Sequence, residues 1–260
     1  MRSILVNADR KPASDARVDT AIELARQLGG HVTVLVDTPV SRYIAMDPMG
    51  GSYVISEALD RARADDDAAA EAVEARLTRG DVPFEVVRSE DDPVPALAAA
   101  ARLADLVIVS RSSGMVGEVA LTARAPVLAL PDEPRGSLPI RCAVIAWDGG
   151  EQSAAALRAS IPLLASCPSV KVVTVTEKPG GFPATDALRY LSRHGIQAEF
   201  EELARHGSTE ETLATAVRQA QAELLVMGAY GKSRMREFLF GGVTAYFLAD
   251  AGAPALLFAH

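Results

Sequence analysis

Short apolar segments that alternate with helical patterns constrain the fold of this chain more than any other feature. Residues 3–9 and 142–148 are both rich in apolar and β-branched side chains, and both end in an aspartate. An Ala-rich helical pattern follows each of them. Strands that are apolar along their length have two buried faces, as in a parallel sheet covered by helices on both sides. The pattern therefore predicts a doubly wound α/β fold.

The same order of elements occurs twice along the chain. The predicted strands of the first half are 3–9, 31–37, 82–89, 106–110 and 126–130, and those of the second half are 141–147, 169–176, 197–203, 223–228 and 254–258. The helical patterns cover 13–28, 55–79, 94–103 and 115–124, and then 150–166, 183–194, 209–221 and 242–251. Residues 131–139 have the Pro and Gly content of a linker. We therefore predict two tandem domains, 1–130 and 140–260, joined by 131–139.

Composition and charge argue against several classes of protein. The net charge of −8 gives no general attraction to nucleic acids or anionic membranes. The apolar run after Arg2 ends at Asp9, too early for a secretion signal, and the stretch 96–109 is interrupted by Arg102 and Asp105. Two cysteines do not make a disulfide framework. We expect a soluble cytoplasmic protein that binds neither nucleic acid nor membranes.

A glycine-rich segment follows the fourth predicted strand of the second half. Its glycines have the spacing G-x2-G-x9-G-G and are Gly228, Gly231, Gly241 and Gly242. Ligands of open parallel sheets bind at the carboxyl ends of the strands, where glycines allow close backbone approach and a helix N-terminus attracts phosphate. Three cations lie within the segment, Lys232, Arg234 and Arg236. The spacing by itself leaves open a phosphate-binding loop or a set of tight turns.

Taken together, the aspartate after the opening strand, the G-x2-G-x9-G spacing and the final strand led by a proline resemble the universal stress protein family. The resemblance is to tandem members, mostly bacterial, and covers nearly the whole chain. It implies a flavodoxin-like sheet of five parallel strands in each half. It also implies a pseudo-twofold axis between the halves, with strands 127–130 and 255–258 paired at their edges. The implied role is in stress response or signalling, and many members of the family bind ATP while others bind none.

The resemblance also implies which residues hold the nucleotide. By position, Asp148 corresponds to the family's aspartate beside the adenosine, and Val175 lies where the backbone of the second strand meets adenine. Gly228 and Gly231 correspond to the glycines at the ribose and the phosphates, and Gly241 to the third glycine. We therefore expect an adenine nucleotide, ATP, in the second half, with Mg²⁺ as its companion ion.

Gly242 departs from the family motif, which has Ser or Thr at this position. The backbone donor remains, and a neutral side-chain hydrogen bond contributes about 0.5–1.5 kcal/mol. The departure is therefore expected to weaken the affinity up to about tenfold without abolishing binding. Thr244, two residues further on, is not assumed to replace the missing hydroxyl.

The first half lacks the corresponding loop. Three steps separate Ser110 from Ser113, where thirteen separate Gly228 from Gly241. Asp9 by itself does not make a binding site, so we expect one nucleotide per chain. The long segment 38–56, which the second half lacks, either covers the vacated cleft, contacts a partner or forms a surface loop.

The remaining candidate residues point to no catalytic or metal site. The four histidines are scattered, and no nucleophile elbow or triad spacing is present. Ser208 followed by Glu211 is typical of a helix capping box. Cys142 and Cys167 are expected at the amino ends of adjacent strands, either as a redox pair or as two inert thiols. Trp147 either contacts a base or packs under the helices.

The sequence alone leaves open two functions from different classes. The first is a nucleotide-binding stress-response or signalling module with, at most, incidental slow ATP hydrolysis. The second is a nucleotide-free interaction scaffold that recruits an unidentified protein partner. A homodimer is expected in either case. An adenine nucleotide that copurifies with the chain, or a rise in Tm with ATP, distinguishes the first from the second.

Overall fold

A computed structural model gives the structure of the chain. It describes residues 1–11, 13–46, 52–132, 138–176, 183–229 and 242–260. These residues form two compact units, Met1–Ile108 and Val109–His260.

The first unit is built on parallel strands flanked by helices. Its elements in chain order are β1 (Ser3–Ala8), α1 (Ala13–Leu28), β2 (His31–Asp37), β3 (Ile44–Met46), β4 (Ser52–Val54), α2 (Ser56–Gly80), β5 (Phe84–Ser89), α3 (Pro93–Ala100) and β6 (Leu106–Ser110), whose last residues belong to the second unit. The strand order is β6-β1-β2-β5, with every pair parallel. Strands β3 and β4 form a separate antiparallel pair.

The second unit contains the remaining elements. In chain order these are α4 (Val116–Thr122), β7 (Val127–Leu130), β8 (Cys142–Ala146), α5 (Glu151–Leu164), β9 (Ser169–Thr176), α6 (Ala184–Arg193), β10 (Glu199–Ala204), α7 (Thr209–Gln219), β11 (Leu224–Gly228), α8 (Gly242–Ala249) and β12 (Ala255–Ala259). The strand order is β10-β9-β8-β11-β12-β7. All pairs are parallel except β12 with β7.

The central strands of both units are buried on both faces. The fully buried side chains include Ile4 in β1, Ile145 in β8 and Val226 in β11. Each such side chain contributes about 1.5–3 kcal/mol relative to an exposed one. This burial confirms the doubly wound α/β fold expected from the apolar strand patterns.

The terminal strands of the two sequence halves pair with each other. Leu128 of β7 faces Leu257 of β12 in an antiparallel register. The pairing removes two apolar edges that would otherwise be open to other chains, and it confirms the expected contact between the segments 127–130 and 255–258. It also explains why β7 belongs to the second unit. The linker expected at 131–139, of which 133–137 lie outside the described residues, stays a prediction.

Local differences from the expected elements are small. The structure adds a short 3₁₀ helix at Val40–Tyr43 and the β3–β4 pair within the segment 38–56, where the sequence predicted no regular structure. The third helix ends at Ala100 and continues as a 3₁₀ turn, Ala101–Leu103. None of the described helices combines the length and the apolar character needed to cross a lipid bilayer.

Candidate functional site

A cavity of about 300 Å³ opens at the carboxyl ends of β8, β9 and β11 in the second unit. Strand β9 pairs with one edge of β8, and β11 pairs with the other edge. The cavity therefore lies at the topological switch point of the sheet. Its lining includes Trp147, Asp148, Gln152, Ser153, Val173, Val175, Thr209, Leu213, Met227, Gly228, Gly242, Val243 and Thr244. This is the place where open α/β sheets bind their ligands.

Asp148 directly follows β8 at the edge of the cavity. Its Oδ1 accepts a hydrogen bond of 2.8 Å from the backbone N–H of Gly150, across Gly149, which has a φ of 72°. This turn leads into α5 and fixes the carboxylate at the end of the strand. Oδ2 has no hydrogen-bond partner among the described residues, and the side chain is exposed. One carboxylate oxygen is therefore free to accept from a ligand.

Gly228 ends β11 directly against the first turn of α5. A Cβ at this position would lie 2.7 Å from the carbonyl carbon of Gln152 and 2.7 Å from the backbone nitrogen of Ser153. Ser153 holds that turn by donating from Oγ to the Gly150 carbonyl oxygen over 2.9 Å. The absence of a side chain at Gly228 therefore serves helix–strand packing, a role that the spacing of the glycines did not reveal.

Apolar side chains form one wall of the cavity. Val173 and Val175 of β9 lie beside Trp147 and Leu213 in the lining. Trp147 is buried, its backbone N–H donates to the Val173 carbonyl over 2.9 Å, and its own carbonyl accepts from Thr174 Oγ1 over 2.9 Å. The two alternatives for Trp147 are thus compatible, because this side chain is packed and also lines the cavity.

The start of α8 lies on another side of the cavity. Gly242 is exposed, and a Cβ added there would lie 3.7 Å from Oε1 and 4.0 Å from Oε2 of Glu210. Glu210 belongs to the first turn of α7, which is held by the expected capping box. In that box the backbone N–H of Glu211 donates to Ser208 Oγ over 3.2 Å, and the backbone N–H of Ser208 donates to Glu211 Oε2 over 3.1 Å.

Four of the six predicted binding residues meet at this cavity. They are Asp148, Val175, Gly228 and Gly242. Gly231 and Gly241 lie outside the described residues, as do the cations Lys232, Arg234 and Arg236. Among the described lining residues, Asp148 is the only ionisable side chain. Glu210 was not among the predicted residues. Its only signal in the sequence is that an acidic residue lies in the first turn of a capped helix.

The corresponding aspartate of the first half is held differently. Arg17 Nη2 donates to Asp9 Oδ1 over 2.7 Å, and the backbone N–H of Lys11 donates to the same oxygen over 3.3 Å. Arg17 Nε also donates to the Asn7 carbonyl oxygen over 3.0 Å, and only 1% of this side chain is exposed. Asp9 is therefore the partner of a buried guanidinium.

One position of the apolar wall is polar in the first unit. Asn7 pairs with Leu35 as Ala146 pairs with Val173, so Asp37 has the register position of Val175. Asn7 Nδ2 donates to Asp37 Oδ1 over 2.8 Å, whereas the buried Asn7 Oδ1 has no partner among the described residues. Burial is the main cause that raises the pKa of Asp37 above its usual value.

The connection after β6 is short in the structure too. Ser110 is buried at the end of the strand, and a 3₁₀ turn, Arg111–Ser113, leads through Gly114 (φ 75°) toward α4. Arg111 anchors this turn by donating from Nη1 to the Ala253 carbonyl oxygen over 2.9 Å. In the first half, the residues that match Asp148 and Val175 are thus bonded to Arg17 and Asn7, and a short 3₁₀ turn stands where the second half has its long loop.

The two cysteines lie at the amino ends of adjacent strands, as expected. Cys142 Sγ lies 3.2 Å from the Ala220 carbonyl oxygen, and Cys167 Sγ lies 3.2 Å from the Ser169 carbonyl oxygen. Burial raises the pKa of the Cys167 thiol, which lowers its thiolate content. Within the described part of the chain, His, Cys, Asp and Glu side chains form no cluster of three or more that could hold a metal ion.

A doubly wound parallel sheet with an apolar cavity and a carboxylate at its switch point defines an α/β protein of the flavodoxin-like type. The model of the universal stress protein family matches residues 1–124 and 140–258. The chain belongs to the universal stress protein family, as a tandem member with two copies of the family unit.

Two solved structures share this fold over nearly the whole chain. A universal stress protein from Archaeoglobus fulgidus DSM 4304 is 14% identical, with a TM-score of 0.74, over 98% of this chain and 97% of that chain. A universal stress protein from Pseudomonas aeruginosa UCBPP-PA14 is 14% identical, with a TM-score of 0.63, over 100% of this chain and 93% of that chain. A universal stress protein in complex with cAMP is 20% identical, with a TM-score of 0.37, over 47% of this chain and 98% of that chain. No curated protein sequence is significantly similar to the chain.

Proposed function

We propose that this chain is a stress-response or signalling module that binds one adenine nucleotide, ATP, in its second unit without efficient catalysis. The observation that carries the proposal is the cavity at the switch point between β8 and β11, which combines an apolar wall with the carboxylate of Asp148. Apolar walls with a few fixed polar groups are typical of small-molecule sites.

The apolar wall suits the base of the nucleotide. Trp147, Val173, Val175 and Leu213 offer apolar surface to a flat ring, and the backbone of β9 supplies polar groups along its edge. A volume of about 300 Å³ is at the lower end of the range for ligand pockets and is sufficient for a nucleoside. The phosphates of ATP then extend out of the cavity.

Asp148 suits the ribose. Its Oδ1 is engaged by the Gly150 N–H, and Oδ2 remains to accept from a hydroxyl group. Hydrogen bonds to a charged acceptor are stronger than neutral ones. The carboxylate therefore orients the sugar, which directs the phosphates toward Gly242 and the start of α8.

Backbone groups and a companion ion would hold the phosphates. The first N–H groups of α8 lack partners within the helix, and the helix dipole favours an anion there. Gly231, Gly241 and the cations between them remain predicted partners. Mg²⁺ would screen the charge of the phosphate tail.

Asp148 is the only ionisable side chain of the described lining, and it is engaged by the start of α5. Hydrolysis requires a positioned base and a held water molecule. For these reasons the proposed role is binding rather than turnover, with slow hydrolysis as an incidental reaction.

The decisive experiment identifies the ligand and counts the sites. Mass spectrometry of material released by denaturing the purified chain should reveal an adenine nucleotide, and calorimetry with ATP should give one site per chain. ATP should also raise Tm, because a ligand that binds only the folded state stabilises it. If neither ATP nor ADP, AMP, cAMP or adenosine binds or raises Tm, the chain is a nucleotide-free interaction scaffold.

Assembly and location complete the proposal. We propose a homodimer in the cytoplasm that recruits a protein partner. Sedimentation of the purified chain tests the dimer, because a single species near 27.4 kDa would contradict it.

A further inference from the structure

Glu210 places a carboxylate where the nucleotide tail would arrive. It lies in the first turn of α7 between Thr209 and Leu213, two residues that line the cavity. Oε1 lies 3.7 Å from the Cβ position of Gly242, the first residue of α8. The side chain is half-buried and has no ion-pair or hydrogen-bond partner within the described ranges.

This carboxylate already lies close to the feature that attracts phosphate. The N-terminus of a helix carries a partial positive charge, which an anion within the first turn neutralises. Glu210 provides such an anion at the start of α8. Asp148, the only ionisable side chain in the described lining of the cavity, is a carboxylate like Glu210. The described part of the site is therefore negative at both ends of the path from ribose to phosphates.

Two negative groups within a few ångströms of each other repel appreciably. For unit charges about 4 Å apart, the repulsion is about four times stronger near a protein surface than in bulk water. The ribose and base carry no charge, so their binding is affected little. A phosphate tail meets the repulsion in proportion to its charge.

We propose that Glu210 is a specificity-determining residue that selects ligands by charge, an inference that rests on the proposed function. The affinity of the second-unit site falls as the negative charge at the phosphate end of the ligand rises. A divalent cation on the tail lowers that charge and restores the affinity. Gly242 lies where the family motif has a residue with a hydroxyl. Because Gly242 has no side chain, nothing at this position separates the Glu210 carboxylate from the phosphate tail.

The test is a calorimetric series on the full chain with adenosine, AMP, ATP in EDTA and ATP with Mg²⁺. In the wild type, affinity should decrease from adenosine to AMP to Mg²⁺-free ATP. Glu210→Gln should tighten binding of Mg²⁺-free ATP by about tenfold or more, because it removes the facing charge, and should leave adenosine within about twofold. The increase in ATP affinity that Mg²⁺ produces should be smaller in the same variant than in the wild type.

Glu211→Gln is the matched control. It removes the same charge from the next residue, whose carboxylate accepts from Ser208, and Gln preserves the capping box. This variant should bind every ligand within about twofold of the wild type, since its side chain serves the cap rather than the start of α8. The cations Lys232, Arg234 and Arg236 are unchanged in both variants. A difference in ATP affinity between the two variants therefore measures the effect of the Glu210 charge.

The possible failures separate the two proposals. If Glu210→Gln binds Mg²⁺-free ATP no more tightly than the wild type does, the selectivity proposal is wrong and nucleotide binding stands. If no adenine ligand binds the wild type, both proposals are wrong. If Glu210→Gln does not fold, the wild-type series still decides, because Mg²⁺-free ATP that binds more tightly than adenosine contradicts the inference.

Discussion

Arg17 donates from Nη2 to Oδ1 of Asp9 over 2.7 Å, and this contact distinguishes the aspartates that open the two halves. Eight residues after Asp148, the second half has Ala156, which is buried and offers no donor. Asp9 is therefore part of a structural ion pair, whereas Asp148 has no cationic partner among the described residues. A single substitution in α1 relative to α5 accounts for this difference.

Removal of the Arg17 guanidinium should destabilise the chain. Arg17→Met leaves Asp9 and the Asn7 carbonyl oxygen without their donor, which should cost about 2–4 kcal/mol of unfolding free energy. Urea denaturation measures the loss. Arg61→Met, which removes an exposed pair with Glu57, should change the free energy by less than about 0.5 kcal/mol. Equal effects of the two substitutions would contradict the structural role of Arg17.

Asp148 and Asp9 should differ in their effect on nucleotide binding. Asp148→Asn keeps an acceptor for the Gly150 N–H but loses the charge toward the ribose, so ATP affinity should fall by about tenfold or more. Asp9→Asn should leave the affinity within about twofold, because Asp9 faces Arg17. Calorimetry on both variants provides the measurement. Comparable losses would mean that the first unit also binds nucleotide.

An added methyl group should destabilise the chain at Gly228 and have little effect at Gly242. Gly228→Ala forces Cβ against the α5 backbone at 2.7 Å and should cost about 1–3 kcal/mol. Gly242→Ala meets the far end of the Glu210 side chain at 3.7 Å and should remain within about 0.5 kcal/mol of the wild type. Chemical denaturation distinguishes the pair. A neutral Gly228→Ala would show that this glycine is not required for packing.

Asp37 should make stability depend on pH. Burial raises its pKa, aided by Asp66 and Asp9 and opposed by the Asn7 hydrogen bond and Arg42. Between the unfolded and folded pKa values the folded state binds more protons, so the free energy of unfolding falls as pH rises through this window.

Asp37→Asn removes this titration. It also supplies an N–H donor beside the unpartnered Asn7 Oδ1. The variant should therefore gain stability relative to the wild type as the pH rises above about 4, the ordinary pKa of an aspartate, as followed by urea denaturation. Parallel curves for the two proteins over that range would contradict the prediction.

The fold could be predicted because its signals are local and repeated. Apolar runs such as 3–9 and 142–148 show which segments are buried on both faces, and their alternation with helices leaves few topologies for a parallel sheet. The edge pairing of β7 with β12 followed from the need to cover two apolar strands. The β3–β4 pair gave no comparable signal, because its strands are too short to show a period.

The site could be predicted only in part. Asp148, Val175, Gly228 and Gly242 lie at strand or helix ends, and such ends meet at one edge of a parallel sheet. Glu210 could not be found in this way, since its role depends on how α7 packs beside α8. The packing role of Gly228 depends likewise on the position of α5.

The sequence by itself determined the doubly wound fold, the two repeats and the end of the sheet at which a ligand can bind, because burial periodicity and turn chemistry are properties of neighbouring residues. Only the tertiary structure decided that Arg17 forms an ion pair with Asp9 and that Glu210 faces the start of α8. Both depend on distances between side chains from different elements. A charge acts over a few ångströms of space, and separation along the chain carries no information about that distance.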